Sequence, residues 1–303
     1  MVEVVPTPAA PITGNVLFYT RPEPLNRETH ARLGLRRIAR PYSFAQSAHV
    51  IPLTVTEFAA AGLSYPVIFA GERRQPLGVM GINPTQNMFI RDDGAFEVGV
   101  YIPAYIRRYP FVLAADASRE QLVVCIDRAA PMIGDLPDFA LFDAAGEPSD
   151  YTKNCIQFCN DFEVEVRRTE SFVSLMQDLD LFETKTATFT PGNPDGSPAG
   201  PPQTIAEYFA VSETKLKALP DDKVRALLDN GALPQIYAHL HSLLGGDRLF
   251  ALAVARAGAA PGPANLNEPP ASTLRCASTP LAKPARGCLD SSPNDGGSDH
   301  GEA

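Results

Sequence analysis

The chain has 303 residues, 45% of them hydrophobic and 20% charged, with a formal net charge of -9 at pH 7. That is the profile of a soluble globule with room for one large or two modest domains. The acidic balance excludes a general nucleic-acid binder, which neutralises phosphates with surplus Lys and Arg, and no apolar run approaches the ~18 to 20 residues that a transmembrane helix needs.

Residues 1–14 carry Glu3 and three prolines and lack a basic start followed by an apolar stretch. They read as a flexible N-terminus and not as a secretory leader. Five cysteines without paired spacing fit a reducing compartment, so a cytoplasmic location is expected, with export by a non-classical or C-terminal signal left open. From Arg21 to Arg40 there are six arginines against Glu23 and Glu28. Either this basic arm docks an acidic partner or a phosphate, or Arg36, Arg37 and Arg40 pair with the chain's own carboxylates.

Between Ala48 and Asp127, six short runs rich in Val, Ile, Leu and Phe are bounded by Gly, Pro, Asn and Asp, which predicts strands. They are 50–55, 66–70, 76–82, 87–90, 96–102 and 121–127. Asp92-Asp93-Gly94 supplies turn chemistry and is expected to join 87–90 to 96–102 as a hairpin; Glu57 to Leu63 is expected to form one or two helical turns. After Pro148 the period changes. Cys155, Cys159, Phe162, Val166, Val173 and Met176 mark one face of a long helix, with Asp161, Glu163, Glu165, Arg167 and Arg168 mostly on the other.

Phe182 to Thr190 and Thr204 to Val211 then read as a second hairpin across the Pro/Gly/Asp stretch 191–202. A helical cluster follows: 213–219 capped by Ser212, a helix opened by Pro220-Asp221-Asp222 and stopped by Gly231, one from Pro234 to about Leu244, and one over 248–257 capped by Asp247. The tail 257–303 is rich in Pro, Gly, Ala and Ser and lacks Phe, Tyr and Trp. It is expected to be disordered, since it cannot bury enough apolar surface to offset the entropy of ordering. The fold expected for 15–256 is α+β: a mostly antiparallel sheet of short strands, a long helix and a C-terminal helical cluster.

Local catalytic signatures such as G-x-S-x-G, Walker A, G-x-G-x-x-G, H-E-x-x-H and C-x-x-C are missing from the sequence, so no catalytic residue, metal or cofactor is assigned. His239 and His241 lie two apart on a predicted helix, about 200° around its axis, so their rings diverge. Cys155 and Cys159 share the apolar face of the long helix and read as core residues, with metal binding or oxidation as the alternative. Asp178 and Asp180 read as a solvated helix end.

The densest feature is Tyr101-Ile-Pro-Ala-Tyr-Ile-Arg-Arg-Tyr-Pro-Phe-Val-Leu-Ala114. Pro103 and Pro110 bracket a single helical turn or a tight loop with stiffly held side chains. Arg107 and Arg108 then point differently. One is expected to be buried with carboxylate or carbonyl partners, the other exposed toward a partner or pocket, where a guanidinium makes a two-pronged bond to a carboxylate or phosphate. Tyr101, Tyr105 and Tyr109 add amphipathic surface. With Asn87 these are the candidate residues for a small carboxylate ligand or a protein partner. The alternative is that the Arg/Tyr cluster pins a loop across the sheet.

That string resembles the SapC family of bacterial proteins. So do Glu57-Phe58, Tyr65-Pro66-Val67-Ile68-Phe69, Asn87-Met88-Phe89-Ile90 preceded by Gly81, Leu25-Asn26 with His30, Leu141-Phe142-Asp143 with Gly146, and Gly231-Ala232-Leu233 followed by Ile236-Tyr237-Ala238-His239-Leu240. The resemblance runs from about Val16 to Arg256, with Phe96 where the family tends to have Trp. It implies an association with surface-layer loci, and with genes for tryptophan-halogenase-like proteins and outer-membrane receptors. The function expected from it is a non-catalytic accessory or binding protein in surface-layer protein production or export. The alternative is an enzyme or enzyme partner acting on a peptide or amino-acid derivative, with the Arg/Tyr cluster as its carboxylate clamp.

Overall fold

The computed structural model describes residues 17–116, 121–189, 200–201, 203–257 and 264–265. In chain order the first elements are β1 (Pro22–Pro24), α1 (Arg27–His30), β2 (Leu33–Leu35), β3 (Val50–Pro52), α2 (Phe58–Gly62), β4 (Val67–Ala70) and β5 (Gln75–Val79). Then come α3 (Ala104–Arg107), β6 (Phe111–Asp116), β7 (Gln121–Asp127), β8 (Ile133–Asp135), β9 (Phe139–Ala140), α4 (Asp150–Asp178), β10 (Phe182–Phe189) and β11 (Gln203–Val211). The last are α5 (Glu213–Lys217), α6 (Asp221–Asp229), α7 (Ala232–Ser242), α8 (Gly246–Ala257) and β12 (Ala264–Asn265). Of the tail read as disordered, only Ala257 and the β12 pair fall among the described residues. Residues 1–14 lie outside them.

The strands form three antiparallel sheets, in the orders β1-β7-β6, β12-β10-β11-β4-β5-β3 and β8-β2-β9. With the long helix and the C-terminal helices, this is an α+β fold. The hairpin of β10 and β11 is as expected, running from Phe182↔Val211 to Phe189↔Gln203 with one register shift after Ala187. The hairpin expected from 87–90 and 96–102 shrinks to a single bridge between Ile90 and Phe96. Its turn forms, with Gly94 at φ 75, but Gly99 at φ 78 bends the chain away before a ladder can grow. The 87–90 backbone bonds elsewhere, Asn87 N–H to Gln46 O and Met88 N–H to Met80 O.

Strand β6, by contrast, lies at the end of the Tyr/Arg string that reads as a loop from sequence. It pairs with β7 from Phe111↔Ile126 to Asp116↔Gln121, and the third strand of that sheet comes from Pro22–Pro24 near the other end of the chain.

Helix α4 organises the core. Ser149 caps it, its hydroxyl accepting from Thr152 N–H, and Asp150 sits in the first turn where it favours the dipole. At 29 residues the helix is about 43 Å long and crosses two hydrophobic clusters. Cys159 belongs to one with Phe111, Leu113, Val124, Ile126 and Phe142. Phe162, Phe172, Val173 and Met176 belong to the larger one with Phe58, Tyr65, Phe69, Tyr105 and Ile236. The short helix α3 carries the Arg/Tyr string to the seam between these clusters.

The C-terminal helices depart slightly from expectation. Ser212 is the N-cap residue of α5 but makes no side-chain capping bond, α7 begins two residues before Pro234, and Asp247 lies inside α8. The two histidines of α7 do diverge. His239 is fully buried and His241 exposed.

Candidate functional site

Two buried carboxylates hold the Tyr/Arg string in place. Glu57 Oε2 accepts from Thr54 N–H at 2.8 Å and from the Thr54 hydroxyl at 2.9 Å, while Oε1 accepts from Ala104 N–H at 2.7 Å and the Tyr101 phenol at 3.0 Å. One side chain therefore closes its own capping box and also caps α3. Asp127 is equally occupied. Its oxygens accept from Thr20 N–H (3.1 Å), Arg21 N–H (2.8 Å), Ala129 N–H (3.1 Å) and the Tyr109 phenol (3.1 Å).

The tyrosines are thus largely structural. Burial, reinforced by the Glu57 charge, pushes the Tyr101 phenol up to about 12, and burial raises Tyr105 and Tyr109 as well, with Asp127 adding to the effect on Tyr109. Tyr109 also stacks on Phe44 with centroids 4.0 Å apart. Asn87 sits apart from these residues, buried in its own loop. Its Oδ1 accepts from Phe89 N–H at 2.9 Å and its amide faces Met80 Sδ at 3.3 Å. A Cβ on Gly81 would run into the Gln86 carbonyl, so this turn requires glycine.

Arg107 and Arg108 divide as outside and inside: the buried one does have a carboxylate neighbour in Glu163, and the exposed one is also bonded within the chain. Exposed Arg107 has the backbone-carbonyl partner: Nε donates to Ile102 O at 3.0 Å and Nη2 to the Tyr101 hydroxyl at 3.1 Å. Arg108 is 7% exposed. Its guanidinium lies over the rings of Tyr105 (4.2 Å) and Phe162 (4.5 Å), its Nη1 stands 3.9 Å from Glu163 Oε1, and its buried Nε has no hydrogen-bond partner. Ring faces attract a cation by about 1 to 2 kcal/mol, well short of the cost of taking one out of water. Buried polar groups left without a partner are rare enough to need a reason.

The reason offered by the geometry is a cavity of about 650 Å³ on which Arg108 and Tyr105 open. Its floor includes buried Leu53, Pro76, Phe162 and Val173, and its rim exposed Glu72, Arg73, Gln75, Glu170, Ser174 and Gln177. A buried cation, two aromatic rings and an apolar floor with a polar rim suit an anionic group attached to an apolar body.

The family model for SapC matches residues 25–249. The chain belongs to the SapC family. No curated protein and no solved structure matches it. The Leu25-Asn26 and His30 string of this SapC chain is a local clasp, in which Asn26 caps α1 by accepting from Glu28 N–H and its own N–H donates to His30 Nδ1. Phe96 fills its position by packing edge-on against Tyr42 at 5.0 Å.

Of the other residues singled out from sequence, Cys159 is buried and its thiol is pushed up to about 12 by burial; Cys155 is half-buried. Asp180 pairs with Lys215 at 3.0 Å. Arg36, Arg37 and Arg40 are exposed and hold no ion pair among the described residues. Arg37 lies over Phe139 and Arg40 donates to Gln46. Among the described residues, no helix is long and apolar enough to cross a membrane.

Proposed function

We propose that this SapC-family protein is a non-catalytic binding protein that holds a carboxylate-bearing molecule at Arg108, as an accessory to surface-layer protein production or export. The observation that carries the reading is buried Arg108, whose Nε has no hydrogen-bond partner and which is one of the residues lining a cavity. A carboxylate there gains a charge-assisted, two-pronged bond in a poorly hydrated place. The neighbouring ionisable groups support recognition over chemistry. Glu57 and Asp127 are taken up by four hydrogen bonds each, and the nearby phenols and the Cys159 thiol are held protonated at neutral pH. The surface-layer role comes from the family alone.

The test is thermal denaturation in the presence of hexanoate, N-acetyl-phenylalanine and their amides. The acids should raise the melting temperature, the amides should not, and Arg108→Met should abolish the response. No Arg108-dependent response to any acid sinks the reading, and a covalent change in the recovered acid sinks its non-catalytic half.

A further inference from the structure

We infer that the groove beside Arg108 takes the C-terminal segment of an extended peptide, with the terminal carboxylate on the Arg108 guanidinium. The inference rests on the reading of Arg108 as a carboxylate anchor and adds what the rest of the groove selects.

Length is the first argument. The α4 residues that line the groove run from Phe162, against the Arg108 guanidinium, to Gln177. That stretch is about 22 Å by the helical rise, the span of about six extended residues. A free amino acid would leave most of it empty.

Polarity is the second. Val173 on the floor is buried, but the rim is exposed, and the side chains of Gln75, Ser174 and Gln177 hold no hydrogen bond within the chain among the described residues. An acyl chain offers such a rim nothing. A peptide offers an N–H and a C=O at every residue, along with side chains for the apolar floor.

Charge is the third. The buried cation lies at one end and is followed along α4 by Glu163, 3.9 Å from it, and by exposed Glu170. Two turns separate these glutamates, about 10 Å, or roughly three extended residues. Glu72 and Arg73 stand at the rim on the β4–β5 turn. The groove therefore favours a basic side chain about three residues before the C-terminus, facing Glu170.

The experiment passes a randomised hexapeptide library with free C-terminal carboxylates over the immobilised full-length protein, with the same library as C-terminal amides in parallel, and sequences retained peptides by mass spectrometry. The free acids should be retained about tenfold or more over the amides and be enriched in Lys and Arg near the fourth position from the end. Arg108→Met should lose retention, and Arg108→Lys, which keeps the charge without the fork, should lose most of it. Glu170→Gln should lose the basic preference and keep the carboxylate preference. Equal retention of acids and amides would overturn the inference. If hexanoate stabilises the protein through Arg108 while no peptide is retained, the peptide falls and the carboxylate anchor stands; if neither ligand binds, both fall.

Discussion

Arg107 and Arg108 are adjacent in sequence and opposite in circumstance: the exposed one is bonded to Ile102 O and the Tyr101 hydroxyl, and the buried one has an idle Nε. The outward arginine secures the loop. The inward arginine is kept at a cost, which the proposed role as a carboxylate anchor would explain.

Replacing Arg108 with Met should therefore leave stability unchanged or raise it by up to ~2 kcal/mol, since a poorly paired buried charge gives way to apolar volume and partly exposed Glu163 remains hydrated. Arg107→Ala should cost about 1 kcal/mol through its two lost bonds. Urea denaturation checks both, and a loss of several kcal/mol in Arg108→Met would make Arg108 a structural pin.

Glu57 accepts four hydrogen bonds, two of them from the backbone N–H groups of Thr54 and Ala104. Glu57→Gln turns one acceptor into a donor facing donors and should cost ~2 to 4 kcal/mol. Denaturant midpoints measure this, and a change below 1 kcal/mol would contradict the bonding described.

Much of this fold is legible in the sequence where the signal is periodic. The apolar spacing from Cys155 to Met176 gives α4, the alternation on both sides of 191–202 gives β10 and β11, and the two-residue offset of His239 and His241 gives one buried and one exposed ring. What escapes is non-local. Strand β6 lies at the end of the Tyr/Arg string and pairs with the neighbouring β7, and the part of its sheet with no local sign is β1, which brings Pro22–Pro24 onto the other side of β7. Glu163 reads as part of the polar side of the long helix, and only tertiary packing sets it and Glu170 along the groove with Arg108. The role of Glu57 had a local sign, since Thr54-Val-Thr-Glu57 is a capping-box sequence; its second duty, to α3, had none.

His239 gives a pH dependence. Its Nδ1–H donates to Val67 O at 2.9 Å and its Nε2 accepts from Val211 N–H at 3.1 Å, and burial lowers its pKa from 6.5 to about 4. The unfolded chain binds the proton more readily, so stability is complete above about 6.5 and falls as the pH drops toward 4. Between pH 8 and pH 5 the loss from this residue should be about 2 kcal/mol. His239→Gln should flatten that slope; an unchanged slope would show that the histidine is not held neutral.

Burial pushes the thiols of Cys125 and Cys159 up to about 12. At pH 8 roughly one thiol in ten thousand is then the reactive thiolate. Iodoacetamide should leave both unmodified in the folded protein and label both in urea, as mapped by peptide mass spectrometry. Rapid labelling of folded Cys159 would mean that the seam between the clusters is open.

The most direct measurement follows the Arg108 Nε–H signal in a ¹⁵N-resolved spectrum, assigned by its absence in Arg108→Lys. As N-acetyl-phenylalanine is added, that signal should shift in a saturable way as the idle Nε–H gains a carboxylate acceptor, and the corresponding amide should leave it in place. A signal that stays fixed under every carboxylate tried, or that moves equally with the amide, would contradict the assignment of Arg108 as the anchor.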